Sequence, residues 1–191
     1  MAKSAGLAQK FFIGSSDISG DVSAISSWST PVQTLDVTGI DLSAMDRLQG
    51  LVSGSLSFNT FFNDATGAQH LALRVPNSGT PVTWALGQSV GSVAGMLQAQ
   101  GINYDPTRAA DGMLTFDITM DTYETLPVWG VMLTAGLDTD TTGASTATLD
   151  QGAQTSAGAE AILHVTAFTG SNFTATIQDS ANGSDWGTLV A

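Results

Sequence analysis

The run Leu114-Thr115-Phe116-Asp117-Ile118-Thr119-Met120-Asp121-Thr122-Tyr123 decides the fold, because its first eight side chains alternate between apolar and polar. A period of two puts Leu114, Phe116, Ile118 and Met120 on one face of a β-strand and Thr115, Asp117, Thr119 and Asp121 on the other. One face is core; the opposite one is wet and acidic. Upstream, Val52 to Phe62 repeats the pattern, with Val52, Leu56, Phe58 and Phe62 opposed to Ser53, Ser55, Ser57 and Asn59, and with Gly54 placed for a bulge. Further strand candidates are Val22 to Ser27, Val32 to Val37, Val82 to Leu86, Val93 to Asn103 and Val128 to Leu133. Pro31, Pro81, Pro106 and Pro127 fall where strand starts or edges tolerate a missing N–H. These strands predict an all-β chain, an antiparallel sandwich or open barrel. A single short flanking helix is predicted through Ala65 to Arg74, capped by Asp64 or Thr66 and ended by Pro76.

Composition agrees with that reading. Gly, Ser and Thr make up roughly a third of the 191 residues and Lys and Glu are nearly absent, which disfavours long surface helices. With 5 Lys plus Arg against 17 Asp plus Glu, the formal net charge is −12, so tight binding to nucleic acid phosphates lacks its cations. The absence of Cys excludes disulfides, thiolate catalysis and Cys-ligated zinc. The start, Met1-Ala2-Lys3-Ser4-Ala5-Gly6, carries no apolar run after a basic end, and no later stretch is long and apolar enough to span a bilayer. Neither a signal peptide nor a membrane anchor is expected.

From Thr134 to Leu149 the chain has no apolar period and reads as a linker. The organisation expected is an N-terminal arm over 1–19, a β-domain over 20–134, a linker over 135–149 and a small C-terminal β-domain over 150–191. The last would contain strands Ala161 to Phe168 and Phe173 to Gln178 and a hairpin turn at Asn182-Gly183. So few residues without a Cys make a poor independent core, so this unit is expected to lean on neighbours or to continue beyond Ala191.

Chemistry is sparse. His70 and His164 share no metal-ligand spacing, and there is no Gly-x-Ser-x-Gly elbow, phosphate loop or dinucleotide fingerprint. No catalytic residue, metal or cofactor is expected. Asp138 to Gly143 imitates the start of a calcium loop, but Leu149 stands where a bidentate Glu is needed. On one strand Asp117 and Asp121 lie about 13 Å apart, too far for paired acid and base work. An acidic β-fold hydrolase therefore lacks its carboxylate pair. The sequons at Asn172 and Asn182 mean little without export. Trp186, beside the hairpin turn, is an exposed-aromatic candidate for stacking on a sugar, against the plainer reading of a half-buried core residue.

Two stretches carry a resemblance. Gly50-Leu-Val-Ser-Gly-Ser-Leu-Ser-Phe58 and Gly101-Ile-Asn-Tyr-Asp-Pro-Thr-Arg-Ala-Ala-Asp-Gly-Met-Leu-Thr-Phe116 resemble the major tail tube proteins of long-tailed, non-contractile phages, and Val128 to Gly136 follows as the last core strand of that family would. Val165 to Gly170 and Gln178 to Trp186 are similar to an extra C-terminal β-domain that some members carry. The resemblance implies a β-sandwich or barrel assembling as hexameric rings stacked into a tube, with other tail proteins at its ends and genome DNA passing through without tight binding. It implies a virion tail location, with assembly in the host cytoplasm. Thr115, Asp117, Thr119 and Asp121 would then line the lumen. The stretch Asp36 to Gln49 resembles the long loop that reaches a neighbouring ring; Ile40, Leu42, Met45 and Leu48, with Arg47 among them, are awkward on a solvated loop and suit an interface. The plainer reading is a short helix in the monomer's own core. Phe11, Phe12 and Ile13 of the N-terminal arm are expected to order on assembly. The competing function is a glycan-binding or adhesion module on a virion surface, using the Trp186 region.

Overall fold

The computed structural model describes residues 6–75, 78–139, 148–150, 152, 158–172 and 174–190. The main body is one antiparallel sheet in the order β2-β1-β7-β8-β9-β6-β3, with β10 also on β8. Its strands are β1 (Lys10–Ile13), β2 (Ser16–Asp17), β3 (Val22–Ser29), β6 (Ser55–Phe61), β7 (Thr80–Ala85), β8 (Val93–Arg108), β9 (Leu114–Thr122) and β10 (Val128–Val131). Between β3 and β6 the chain leaves the sheet as a separate two-stranded hairpin, β4 (Val32–Asp36) and β5 (Arg47–Val52). A C-terminal hairpin pairs β11 (Ile177–Asp179) with β12 (Gly187–Val190) around Asn182-Gly183, where Gly183 takes a φ of +70°. The one short helix among the described residues is α1 (Gln69–Leu73).

β8 builds the curvature. Its first half lies between β7 and β10, its second half beside β9, and the register slips between Gly101 and Asn103 where the two halves meet. An extra residue on one strand bends it and steepens the twist. The sheet therefore folds over until Phe11 of β1 meets Phe58 of β6, ring centroids 4.9 Å apart, although three strands separate them in the ladder. Phe11, Ile13, Leu56, Phe58, Val82, Leu97, Phe116, Ile118 and Met120 fill the space between. Pro106 is accommodated within β8 because that half of the strand has a ladder partner on β9 alone.

Tryptophans close one end of the fold. Trp28, Trp84 and Trp129, from β3, β7 and β10, pack with centroids 5.7 to 6.2 Å apart, over Gly95. A Cβ on Gly95 would stand 2.8 Å from the Trp28 ring, so a glycine is required for that approach. α1 lies along β8 at Tyr104, whose hydroxyl is 3.0 Å from Gln69 Nε2 and 2.9 Å from His70 Nδ1. Burial pushes the Tyr104 hydroxyl pKa up, opposed by the bond that Gln69 donates.

Several expectations are corrected. Residues Lys10–Ile13 form a core strand of the isolated chain, with Phe11 and Ile13 buried, so this part of the N-terminal arm needs no assembly to order. The helix is shorter than its sequence pattern, and neither Asp64 nor Thr66 caps it. The Gln69 N–H instead donates to Asp21, which arrives from the loop before β3. Pro76, the predicted terminator, lies outside the described residues. Ala161 to Phe168 forms no strand. Of Phe173 to Gln178 only the end is strand, within Ile177–Asp179, and Phe173 is outside the described residues. Most of the calcium-loop mimic and of the linker, 140–147, is likewise outside them. Gly54 marks no bulge. It joins the hairpin to the main sheet, where a Cβ would stand 2.6 Å from Thr122 and closer still to Pro127.

Candidate functional site: an acidic sheet face and an exposed arm

The alternation in β9 survives intact. Phe116, Ile118 and Met120 are buried while Asp117 is exposed and Thr115, Thr119 and Asp121 are half-exposed on the opposite face. Registration with β6 and β8 extends that face sideways. Asp117 lies between Asn59 and Asp105, Thr119 between Ser57 and Asn103, and Asp121 between Ser55 and Gln100. Asn59 Nδ2 donates to the Asp117 carboxylate, and Ser26 of β3 donates to Asn59 Oδ1 at 3.0 Å. The four strands β3, β6, β9 and β8 thus present a wall of short polar and acidic side chains. Asp105 was not singled out in the sequence, because only registration brings it opposite Asp117. Among the described residues, the edge of β3 away from β6 has no ladder partner, and the last part of β8 has none on its far side.

The stretch Asp36 to Gln49 is the tip of a hairpin separate from the main sheet: residues 37–46, with Ile40, Leu42 and Met45, form an irregular loop between β4 and β5, Arg47 and Leu48 open β5, and no part of it is a core helix. From Pro31 to Ser53 every residue is exposed except the half-exposed Gly39 and Gly50. Ile40, Leu42, Met45 and Leu48 are all among the exposed, Ile40 completely and Met45 at 69 %, and Leu35 and Leu51 add to them. Asp36 organises the tip by accepting from the Thr38 N–H at 3.0 Å and from its hydroxyl at 2.6 Å; these two bonds lower its carboxyl pKa. Arg47 reaches Met45 Sδ at 2.9 Å and makes no ion pair among the described residues. So many large aliphatic side chains exposed side by side form an apolar patch on one protruding hairpin.

Trp186 is 43 % exposed beside the C-terminal hairpin, far in sequence from the other two features. His70 and His164 are not brought together. His70 sits against Tyr104 and Phe62, and His164 between Thr83 and Gly14. Among the described residues no three His, Asp or Glu side chains form a group able to hold a metal ion, and no helix is long and apolar enough to cross a membrane.

No protein-family model and no curated protein sequence matches the chain. Solved structures do. The chain is similar to the sheath/tube terminator of an extracellular contractile injection system in its extended state, at a TM-score of 0.55 and 9 % identity over 68 % of this chain and 98 % of that one. It is similar to the tube-terminating cap of the anti-feeding prophage, at a TM-score of 0.54 and 8 % identity over 69 % and 93 %. A weaker likeness, TM-score 0.48 with 16 % identity, is to the tail of an empty gene transfer agent particle. At such identities the likeness is one of fold: this is an all-β, phage-tail-like fold. The resemblance read in the sequence is met at that level, with the matched terminators belonging to contractile systems.

Proposed function

We propose that the chain is a structural subunit of a tail-like tube, assembling as hexameric rings in which the polar β3-β6-β9-β8 face, with Thr115, Asp117, Thr119 and Asp121, lines the channel. The observation that carries this reading is the pairing, on a phage-tail-like fold, of an acidic wall open at both edges with an apolar arm exposed along its length. Open ladder edges favour pairing with neighbouring copies. Apolar side chains from Ile40 to Leu48 gain on burial against another subunit, at about 25 cal/mol per Å² of apolar surface removed from water. Six copies at −12 each make a wall that repels duplex DNA, which carries about one negative charge per 1.7 Å. The wall then conducts the genome because nothing in it adheres.

A second reading comes from two of the similar structures, with TM-scores of 0.54 and 0.55, which are a tube-terminating cap and a sheath/tube terminator. In that reading the chain closes a tube end as a single ring and does not polymerise. Negative-stain microscopy of the purified chain separates the outcomes. Tubes support the subunit, isolated rings support the terminator, and a monodisperse monomer at high concentration rejects both and revives the adhesion module. The lumen assignment has its own test. Asp117→Lys with Asp121→Lys is expected to leave assembly intact and impede DNA passage, and a density map with both carboxylates outside the channel overturns it.

A further inference from the structure

The face of β1, β7 and β8 that looks away from the core carries the half-buried Lys10 and Gln98 toward its ends, and its middle is largely apolar and buried all the same. Register puts Phe12, Thr83 and Met96 in one row across it and Ala85 beside Ala94, and Phe12, Thr83, Ala85 and Ala94 are each under 6 % exposed. Residues 158–168 are irregular chain, half-buried at Ile162 and from His164 to Thr166, and they meet this back face at His164. His164 is their fastening. Its ring stacks on Phe12 with centroids 5.4 Å apart, its Nδ1 is 2.7 Å from the Gly14 carbonyl oxygen, and its Nε2 is 2.8 Å from Thr83 Oγ1.

The bonding fixes the protonation state. A carbonyl oxygen only accepts, so Nδ1 carries the proton, and in a neutral ring Nε2 then accepts the Thr83 hydroxyl. A second proton obliges the Thr83 hydroxyl to turn and accept from Nε2–H, giving up the bond it donated, and it places a full charge in a buried site. Among the described residues no carboxylate is bonded to the ring. β7 has no ionisable side chain; on β1 and β2 the charged groups are Lys10 and Asp17, bound to each other at 2.7 Å; on the strap itself there is Glu160, exposed. β8 carries Asp105 and Arg108 at its far end, beyond the bulge.

We propose that residues 158–168 are a detachable strap, latched by neutral His164 and released in acid, which uncovers the apolar back face of β1 and β7. Burial depresses the His164 pKa, with the Gly14 bond opposing it, so the detached strap binds the proton more readily than the latched one. Latching is therefore complete above the ordinary histidine pKa of about 6.5 and weakens as the pH falls from there to the depressed value.

The test uses the full chain at pH 7.5 down to 5, above carboxylate titration. Fluorescence of an apolar dye and limited proteolysis of residues 158–168 are followed together. Both are expected to rise through one transition centred below pH 6.5. His164→Gln keeps a donor for Gly14 and an acceptor for Thr83 without a titrating group, and is expected to abolish the transition while the strap stays protected. His164→Ala is expected to leave the strap cleavable at every pH. A flat wild-type profile, or the same transition in His164→Gln, overturns the latch, and neither result bears on tube assembly.

Discussion

Asp105 and Asp117 face each other directly across the β8–β9 ladder, and like charges so placed repel. Asn59 and Ser26 stabilise the Asp117 side, and no hydrogen bond relieves Asp105 among the described residues. Asp105→Asn is therefore expected to raise stability by a few tenths to about 1 kcal/mol, read as a higher denaturant midpoint at unchanged m-value. If the acidic wall serves a channel, the repulsion is a cost carried for function, and the stabilised variant gains nothing in DNA passage. Gly95 sits at the opposite extreme of constraint. Gly95→Ala drives a methyl into Trp28, and overpacking of this kind costs about 1–3 kcal/mol, measured as a lowered denaturation midpoint together with altered near-ultraviolet circular dichroism of the three indoles packed at a tilt.

At the scale of elements, the arm is the part whose chemistry and exposure conflict most. Met45→Asp with Leu48→Asp changes side chains that touch little of the monomer, so the protein is expected to stay folded, with a midpoint within about 0.5 kcal/mol, and to lose assembly in sedimentation and microscopy. Tubes from the double variant would take the arm out of the interface. This element also shows where sequence is legible and where it is not. Period-two alternation read β9, β6 and most of β8 correctly, because each has one dry and one wet face. The arm's own strands were half seen. Val32 to Val37 was legible, but β5 is exposed on both sides and leaves no periodic trace. β1 was misread because Phe11, Phe12 and Ile13 are apolar on both faces, the second being covered by His164, 151 positions downstream of Ile13. The helix cap was misassigned for the same physical reason: Asp21 is remote in sequence and adjacent in space.

For the molecule as a whole, the C-terminal residues matter in two separable ways. The polar wall and the arm both precede residue 123, so a chain ending at Thr139 keeps both. It is expected to assemble with an unchanged inner diameter in electron micrographs. It loses the cover over Phe12 and the two bonds of His164, which together stabilise by about 2–4 kcal/mol on ordinary values for a buried side chain and its hydrogen bonds. A lower thermal midpoint with intact tubes is the predicted signature. Failure to assemble would show that the C-terminal residues belong to the ring.

The ladder order has a consequence for synthesis. β1 pairs with β7 and β3 with β6, while the residue that covers Phe12 is His164. At about 5–20 residues per second on the ribosome, Phe11-Phe12-Ile13 waits roughly 4–14 s for Thr80–Ala85 to emerge, and longer for its cover. Non-local pairing of this kind is slow in any case, on the order of milliseconds to seconds. During that interval the nascent chain exposes an unpaired apolar strand followed by an apolar hairpin, both able to capture other unfinished copies. Soluble yield is then expected to rise when translation is initiated more sparsely on the same message, measured as the soluble fraction at equal total synthesis.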